Sequence, residues 1–272
     1  MAIQWFPGHM NKLRNTLRDT LPHVDVVLEI ADARAPLSSR NPLLDEIIQK
    51  KPRLLLLNKA ELADPAMISE WLYYFENKNL KTLLISAKTR MNLDRIKSET
   101  AKLYKTKDVV RVTKPRVLIV GVPNCGKSTV INALGRKHKA QAADRPGVTR
   151  DVQLYRTNSL EIYDTPGLLW PNLENQTMAA RLAALAAVRD EVYTPSEAFL
   201  LLYPFIYRHY QQRLNDRYQF EANPDGYEFI AQLGTRIGRS NDQEATVRHF
   251  FNDLRSGKLG AFCLEVPPGA SQ

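Results

Sequence analysis

Residues 121–128 read Gly121-Val122-Pro123-Asn124-Cys125-Gly126-Lys127-Ser128, two glycines five apart followed by Lys and Ser. The apolar run Arg116–Val120 leads into this stretch and a helical pattern over Ser128–Leu134 leads out of it. That strand–loop–helix context is what makes the short motif a phosphate-binding loop rather than a chance glycine turn. Glycines let backbone N–H groups close around phosphate oxygens, and the helix N-terminus adds the positive end of its dipole. Lys127 is the candidate for reaching the β and γ phosphates, and Ser128 for ligating Mg²⁺. Asn124, Cys125, Gly126 and Thr129 are further candidate nucleotide-binding positions.

Working outward, Asp164-Thr165-Pro166-Gly167 follows the strand-like run Leu160–Tyr163. Asp164 thus stands at a strand end, where a carboxylate can hold a metal's water shell, and Gly167 can offer its N–H to a γ-phosphate. Between the two motifs, Thr149 in Pro146-Gly147-Val148-Thr149 is a candidate second hydroxyl ligand for Mg²⁺ in a switch loop. Upstream, Asn58-Lys59-Ala60-Glu61 ends the apolar strand Leu54–Leu57, and Ser86-Ala87-Lys88 ends Thr82–Ile85. Either could be a helix cap or a polar strand exit by itself. Beside a phosphate loop, and at the carboxyl ends of strands where doubly wound sheets bind ligands, they read as base-recognition elements. Asn58, Lys59, Glu61, Ser86, Ala87 and Lys88 are the candidates, placed before the phosphate loop instead of after it.

The chain alternates strands and helices from Val24 onward. The strands expected are Val24–Ala31, Arg53–Asn58, Thr82–Ser86, Arg116–Val120, Val152–Arg156 and Leu160–Tyr163, with a helix over Asn92–Tyr104. This predicts an α/β fold, a mostly parallel sheet with helices on both faces. After Trp170–Pro171 only helices are expected. The first covers Asn175–Asp190, another opens at Thr194-Pro195-Ser196-Glu197 as a capping box, and a third opens at Asn241-Asp242-Gln243-Glu244 and stops at Gly257. Two domains follow, 1–172 and a small all-helical 173–272.

Of 272 residues, 38 are Lys or Arg and 29 Asp or Glu; residues 1–172 hold 28 against 17, residues 173–272 hold 10 against 12. A basic excess over the nucleotide domain suggests a polyanionic partner such as RNA. Two cysteines, Cys125 and Cys263, provide neither a disulfide framework nor a zinc cluster. No run is long and apolar enough to insert in a membrane, and a cytoplasmic location is expected.

Together these motifs resemble those of the translation-factor-related GTPases, in the circularly permuted order of the YlqF/RbgA family of ribosome-biogenesis GTPases. Further marks are Gln4-Trp5-Phe6-Pro7-Gly8-His9-Met10, Asp32-Ala33-Arg34-Ala35-Pro36, and Gly257-Lys258-Leu259-Gly260. The resemblance implies a cytosolic GTPase that takes GTP and GDP with Mg²⁺, binds the precursor of the large ribosomal subunit and its rRNA, and aids late assembly. It is expected to be monomeric off the ribosome. Where the family has Asp, this chain has Glu61; the longer side chain keeps the chemistry of accepting the two guanine-edge N–H groups but predicts a looser hold. An RNA-binding assembly factor in which nucleotide is mainly structural is the alternative. The related permuted class acting on the small subunit carries a leading β module and zinc ligands, which this sequence lacks.

The position that holds a water-orienting glutamine in Ras-type GTPases is Leu168, which cannot hydrogen-bond water. His9, after a Pro7-Gly8 turn and ahead of the basic helix Met10–Arg18, is a candidate for the catalytic group. A nine-residue segment can extend about 30 Å. A K⁺ ion held by Asn124 is another candidate, as in related GTPases with asparagine at this place. In the last helix, Arg248, Arg255 and Lys258 share a face away from Val247, Phe251 and Leu254, which reads either as RNA-facing or as a solvated face.

Overall fold

The computed structural model describes residues 15–48, 51–105, 114–135, 152–165 and 175–269. Strands β1 (Val26–Asp32), β2 (Arg53–Asn58), β3 (Thr82–Leu84), β4 (Arg116–Gly121), β5 (Gln153–Arg156) and β6 (Glu161–Asp164) form one sheet in the order β3-β2-β1-β4-β6-β5. Every neighbouring pair is parallel except β5 with β6. Strands of a parallel sheet covered on both faces read as unbroken apolar runs, and β1, β2 and β4 do so. Glu29 is the exception inside β1; it is fully buried and tolerated because Arg40 (2.9 Å) and Arg53 (3.3 Å) neutralise it.

Alternation along each strand sends successive side chains to opposite faces, so each strand feeds two layers. On one face Leu28, Ile30, Leu56 and Ile119 pack with Leu93 and Ile96 of α3 (Leu93–Lys105) and Val130 of α4 (Lys127–Leu134). On the other, Val27, Leu118 and Val120 meet Leu44 and Ile48 of α1 (Leu43–Ile48), while Leu55 and Leu57 meet Ile68, Trp71 and Phe75 of α2 (Pro65–Asn77). Helix α2 starts where the sequence dictates: Asp64 accepts from the Ala66 N–H at 3.0 Å and Pro65 takes the first turn. Strand β3 stops two residues before the expected Ser86, which leaves the parallel ladder to bridge Met91. Of the expected basic helix, residues 15–20 are helical and residues 10–14 lie outside the described residues.

Beyond residue 174 the described elements are helical: α5 (Gln176–Ala184), α6 (Pro195–Tyr218), α7 (Gly226–Arg236) and α8 (Gln243–Ser256). Helix α5 ends six residues before the expected Asp190. The Arg255 guanidinium takes the carbonyls of Ala183 (2.7 Å) and Ala184 (2.8 Å), and Ala186 turns to a left-handed φ of 58°. The Thr194 half of the expected capping box does not form either. Its side chain makes no cap bond, and the Ser196 N–H is satisfied instead by Glu244 of α8, at 3.2 Å. Helix α8 behaves as read, with Asp242 accepting from the Ala245 N–H at 2.8 Å and Gly257 ending it at φ 80°.

Phe199, Tyr203, Phe229 and Phe250 stack at the centre of these helices, with centroids 4.9–6.0 Å apart. After Gly257 the chain folds back onto the sheet layer: the Phe262 N–H donates to Leu62 O (2.8 Å), the Leu264 N–H to Arg34 O (2.7 Å), and Trp71 Nε1 to Glu265 O (3.2 Å). One apolar cluster therefore runs without a break from Leu28 and Ile119 through Leu182 to Phe250 and Leu264. Among the described residues no helix is long and apolar enough to cross a membrane.

Candidate functional site

Strand order turns between β1 and β4: the chain leaves β1 toward β2 and β3 on one side, and leaves β4 toward β6 on the other. Crossovers diverge there, leaving a crevice at the carboxyl ends of the strands. The phosphate loop follows β4, Asn58-Lys59 ends β2, Ser86-Ala87 follows β3, and Asp164 ends β6. Motifs scattered over more than a hundred residues of sequence are thereby brought to one rim.

Two glycines shape the loop. A Cβ on Gly121 would stand 2.4 Å from the Ile30 carbonyl, and Gly126, at φ 99°, would place one 2.2 Å from Asn58 Nδ2. Close backbone approach is why only glycine fits either place. Asn58 is buried and joins three motifs: its Nδ2 donates to Cys125 O (2.9 Å) and its Oδ1 accepts from the Ala87 N–H (3.0 Å). Lys59, in a left-handed conformation (φ 65°), lays its ammonium against Asn124 O (2.6 Å) and Asp32 Oδ2 (2.9 Å). Burial would push the Asp32 carboxyl up, but the Arg34 and Lys59 charges outweigh it and hold Asp32 well below the usual carboxylate range.

On the phosphate side, Lys127 bends back over the loop, and its ammonium donates to the carbonyls of Gly121 (3.0 Å) and Val122 (3.2 Å). Asp164 lies one strand away, in register with Ile119. Its Oδ1 is buried with no hydrogen-bond partner among the described residues. Burial pushes the Asp164 carboxyl up, and the Lys127 charge works against that. A buried carboxylate oxygen lacking a donor, beside a loop emptied of side chains at Gly121 and Gly126, fits a cation accompanying a phosphate chain. Ser128 and Thr129 are exposed in the first turn of α4.

Other candidates are distributed less tidily. Glu61 is exposed on the short 3-10 turn Ala60–Leu62, and Lys88 is exposed beyond β3. Ser86 is buried and turned into its own loop, where it accepts from the Thr89 N–H (3.0 Å). The exposed Asn124 donates its Nδ2 to Ala186 O (2.6 Å), tying the phosphate loop to the helical region. Thr149, Gly167 and His9 lie outside the described residues. Asp32 and Arg34 match no nucleotide-binding motif, although two charges at the end of an apolar strand, on the rim where ligands bind, are a usable signal. Ala186 gives none, since only its backbone takes part. Arg255 departs from the exposed face expected of the three basic residues of α8: it is half-buried and its guanidinium takes the carbonyls of Ala183 and Ala184, whereas Arg248 and Lys258 are exposed.

Residues 116–210 match the family described as 50S ribosome-binding GTPase. Ribosome biogenesis GTPase A of Bacillus cereus is 40% identical over 98% of this chain and 95% of its own, and that of Priestia megaterium 39% over 100% and 99%. Mitochondrial ribosome-associated GTPase 1 of Mus musculus is 32% identical over 97% and 90%. Among solved structures, GNP-bound YlqF from T. maritima superposes with a TM-score of 0.66 at 25% identity, covering 94% of this chain and 99% of that one. The GDP-bound structure of TM YlqF gives the same TM-score and identity over 92% and 98%. With its phosphate loop set after the base-recognition motifs and its sheet wound accordingly, the chain belongs to the ribosome biogenesis GTPase A family and is a GTP-hydrolysing enzyme of permuted motif order.

Proposed function

We propose that this GTPase is a switch in late assembly of the large ribosomal subunit, binding pre-ribosomal particles in its GTP state and leaving after hydrolysis. It works in the cytoplasm, as a monomer off the ribosome. The observation carrying this reading is Asn58: one buried side chain bonded to both the phosphate loop and Ala87, so that loop and base-recognition segments respond together to one nucleotide. The names of the relatives support the ribosomal partner.

Residues 1–172 act as the nucleotide domain and 173–272 as the helical, RNA-contacting one. Lys127 offsets phosphate charge, Asn58, Lys59, Glu61, Ser86, Ala87 and Lys88 surround the base, and Asn124, Cys125, Gly126, Ser128 and Thr129 line the phosphates. Ser128 and Thr149 would hold Mg²⁺, with Asp164 acting on it through water, and Gly167 would offer its N–H to the γ-phosphate. Mg²⁺, when bound, neutralises charge on the β and γ phosphates. Because Leu168 cannot orient water, the remaining catalytic group is assigned to His9, to K⁺ beside Asn124, or to the particle, and turnover alone is slow. The test is co-sedimentation with large-subunit precursors in a non-hydrolysable GTP analogue, in GDP and without nucleotide. Retention in the analogue alone is expected; equal retention in all three states would sink the switch reading.

A further inference from the structure

Strand register sets Asp32, the last residue of β1, directly opposite Asn58, the last of β2. Asp32 therefore lies beside the residue that follows Asn58, and its Oδ2 meets Lys59 Nζ at 2.9 Å. Lys59 needs such a partner. Its backbone holds a left-handed conformation unusual outside glycine, and its four-carbon stem must be fixed for the ammonium to reach Asn124 O at 2.6 Å. Asp32 is itself immobilised: Arg34 forks onto it through Nε (2.9 Å) and Nη2 (2.8 Å), and the Arg34 N–H adds a third bond at 3.1 Å. The carboxylate is almost fully buried, whereas the Lys59 side chain remains 22% exposed. The rigid member of the pair thus lies inside and the partly exposed one nearer the surface.

We infer that Asp32 is a positioning residue for nucleotide binding, acting through Lys59. Its carboxylate holds the ammonium on the phosphate-loop carbonyl before ligand arrives, so that the Lys59 stem is already ordered where the base settles. This deepens, and rests on, the assignment of Lys59 to the base site. Arg34 extends the arrangement, because its Nη1 reaches Leu254 O (3.3 Å) and its carbonyl accepts from the Leu264 N–H (2.7 Å). The helical region thereby steadies the fork that steadies Asp32.

A competing account is that Asp32 serves only to neutralise buried Arg34. A double-mutant cycle in the full-length protein separates the two, read as the dissociation constant for a fluorescent GDP analogue. Asp32→Asn and Lys59→Met are each expected to weaken binding about 10-fold, the size of losing one charge-assisted hydrogen bond. The double variant should be no weaker than Lys59→Met alone. A product near 100-fold, or no loss in Asp32→Asn, would overturn the inference. Should Asp32→Asn lose its folded circular-dichroism signature, Asp32→Asn/Arg34→Met removes the orphaned guanidinium, and the same cycle is run on that pair. No loss in Lys59→Met would instead overturn the base-site assignment, which keeps the two failures apart.

Discussion

The side-chain amide of Asn58 and the backbone of Cys125, 67 residues apart in sequence, are joined by a 2.9 Å hydrogen bond that closes the base-recognition strand onto the phosphate loop. Gly126 passes so close that a Cβ there would stand 2.2 Å from the same amide nitrogen. A short, buried, doubly used side chain at 58 thus fixes the loop's distance from β2. Asn58→Ala strips both bonds and leaves the Cys125 carbonyl and the Ala87 N–H without their partner. Unfolding free energy should fall by about 2–4 kcal/mol, two orphaned backbone groups at about 1–2 kcal/mol each. Nucleotide binding should fall with it. Thermal unfolding with and without GDP measures this, and an Asn58→Ala protein with wild-type stability would show that the bond carries no load.

Lys127 and Ser128 are adjacent but should fail differently. The Lys127 ammonium rests on two loop carbonyls and is positioned to follow phosphate charge. Lys127→Ala should cut GTP turnover by about 10²- to 10³-fold, as for the loss of one preorganised charge-stabilising group. Ser128 is exposed at the head of α4, so Ser128→Ala should leave stability unchanged while raising the Mg²⁺ concentration needed for half-maximal turnover. Full activity in either variant would remove that residue from the site.

Glu61 is exposed on the turn that follows Lys59, and that turn is braced by the Phe262 N–H on Leu62 O. The backbone of the turn is held while the side chain is exposed, so the extra methylene relative to Asp can be accommodated by the side chain. GTP should outcompete ATP, since adenine presents no paired donors to a carboxylate. Glu61→Asp should tighten GTP binding or leave it unchanged. Equal displacement of labelled GTP by ATP and GTP would show that Glu61 does not read the base.

Acid should expose the Asp32 network. Its folded pKa is depressed, because Arg34 and Lys59 outweigh burial. The stability it contributes is complete above the ordinary aspartate value of about 3.9 and is lost only as pH falls through the lower folded value. Wild type should therefore lose this contribution below about pH 4. Asp32→Asn should already lack it at pH 7, so the gap between the two denaturation midpoints should narrow as pH falls from 5 toward 2. A gap constant over that range would mean that Asp32 does not titrate with unfolding.

Fold class and the phosphate rim were legible because both are local. Apolar runs at β2 and β4, and at β1 with Glu29 as its one interior exception, announce buried parallel strands, and Gly121 with Gly126 announces a loop that side chains would block. Errors came where a distant group intervened. Thr194 matches the first position of a capping box, yet its side chain makes no cap bond and Glu244, 48 residues away from Ser196, takes the Ser196 N–H. The stripe through Asn175–Asp190 continues past Ala184, yet Arg255 takes the carbonyls on which the next turn would build. Helical periodicity ranks faces by apolarity and carries no information about which carbonyl a remote guanidinium will reach.

Arg255 and Arg248 look alike in sequence, seven residues apart on α8, but only Arg255 is tied down. Its Nε and Nη2 close the C-terminus of α5 at 2.8 and 2.7 Å, and its guanidinium lies 5.8 Å from the Phe251 ring centroid. The residues it anchors run directly to Ala186, whose carbonyl receives Asn124 of the phosphate loop. Arg255→Ala should cost about 1–3 kcal/mol, because two helix-end carbonyls lose a charged donor, and should loosen nucleotide binding through Ala186. Arg255→Lys should recover little, because one ammonium cannot reproduce the fork. Arg248 is exposed, and Arg248→Ala should change stability by less than about 0.5 kcal/mol. If that face meets rRNA, the same change should weaken binding to precursor particles and lower the salt dependence by about one phosphate contact. Thermal unfolding and particle binding across a salt series, run on both variants, read the two arginines separately. Equal stability losses at 248 and 255 would contradict the division, as would loss of particle binding in Arg255→Ala with stability intact.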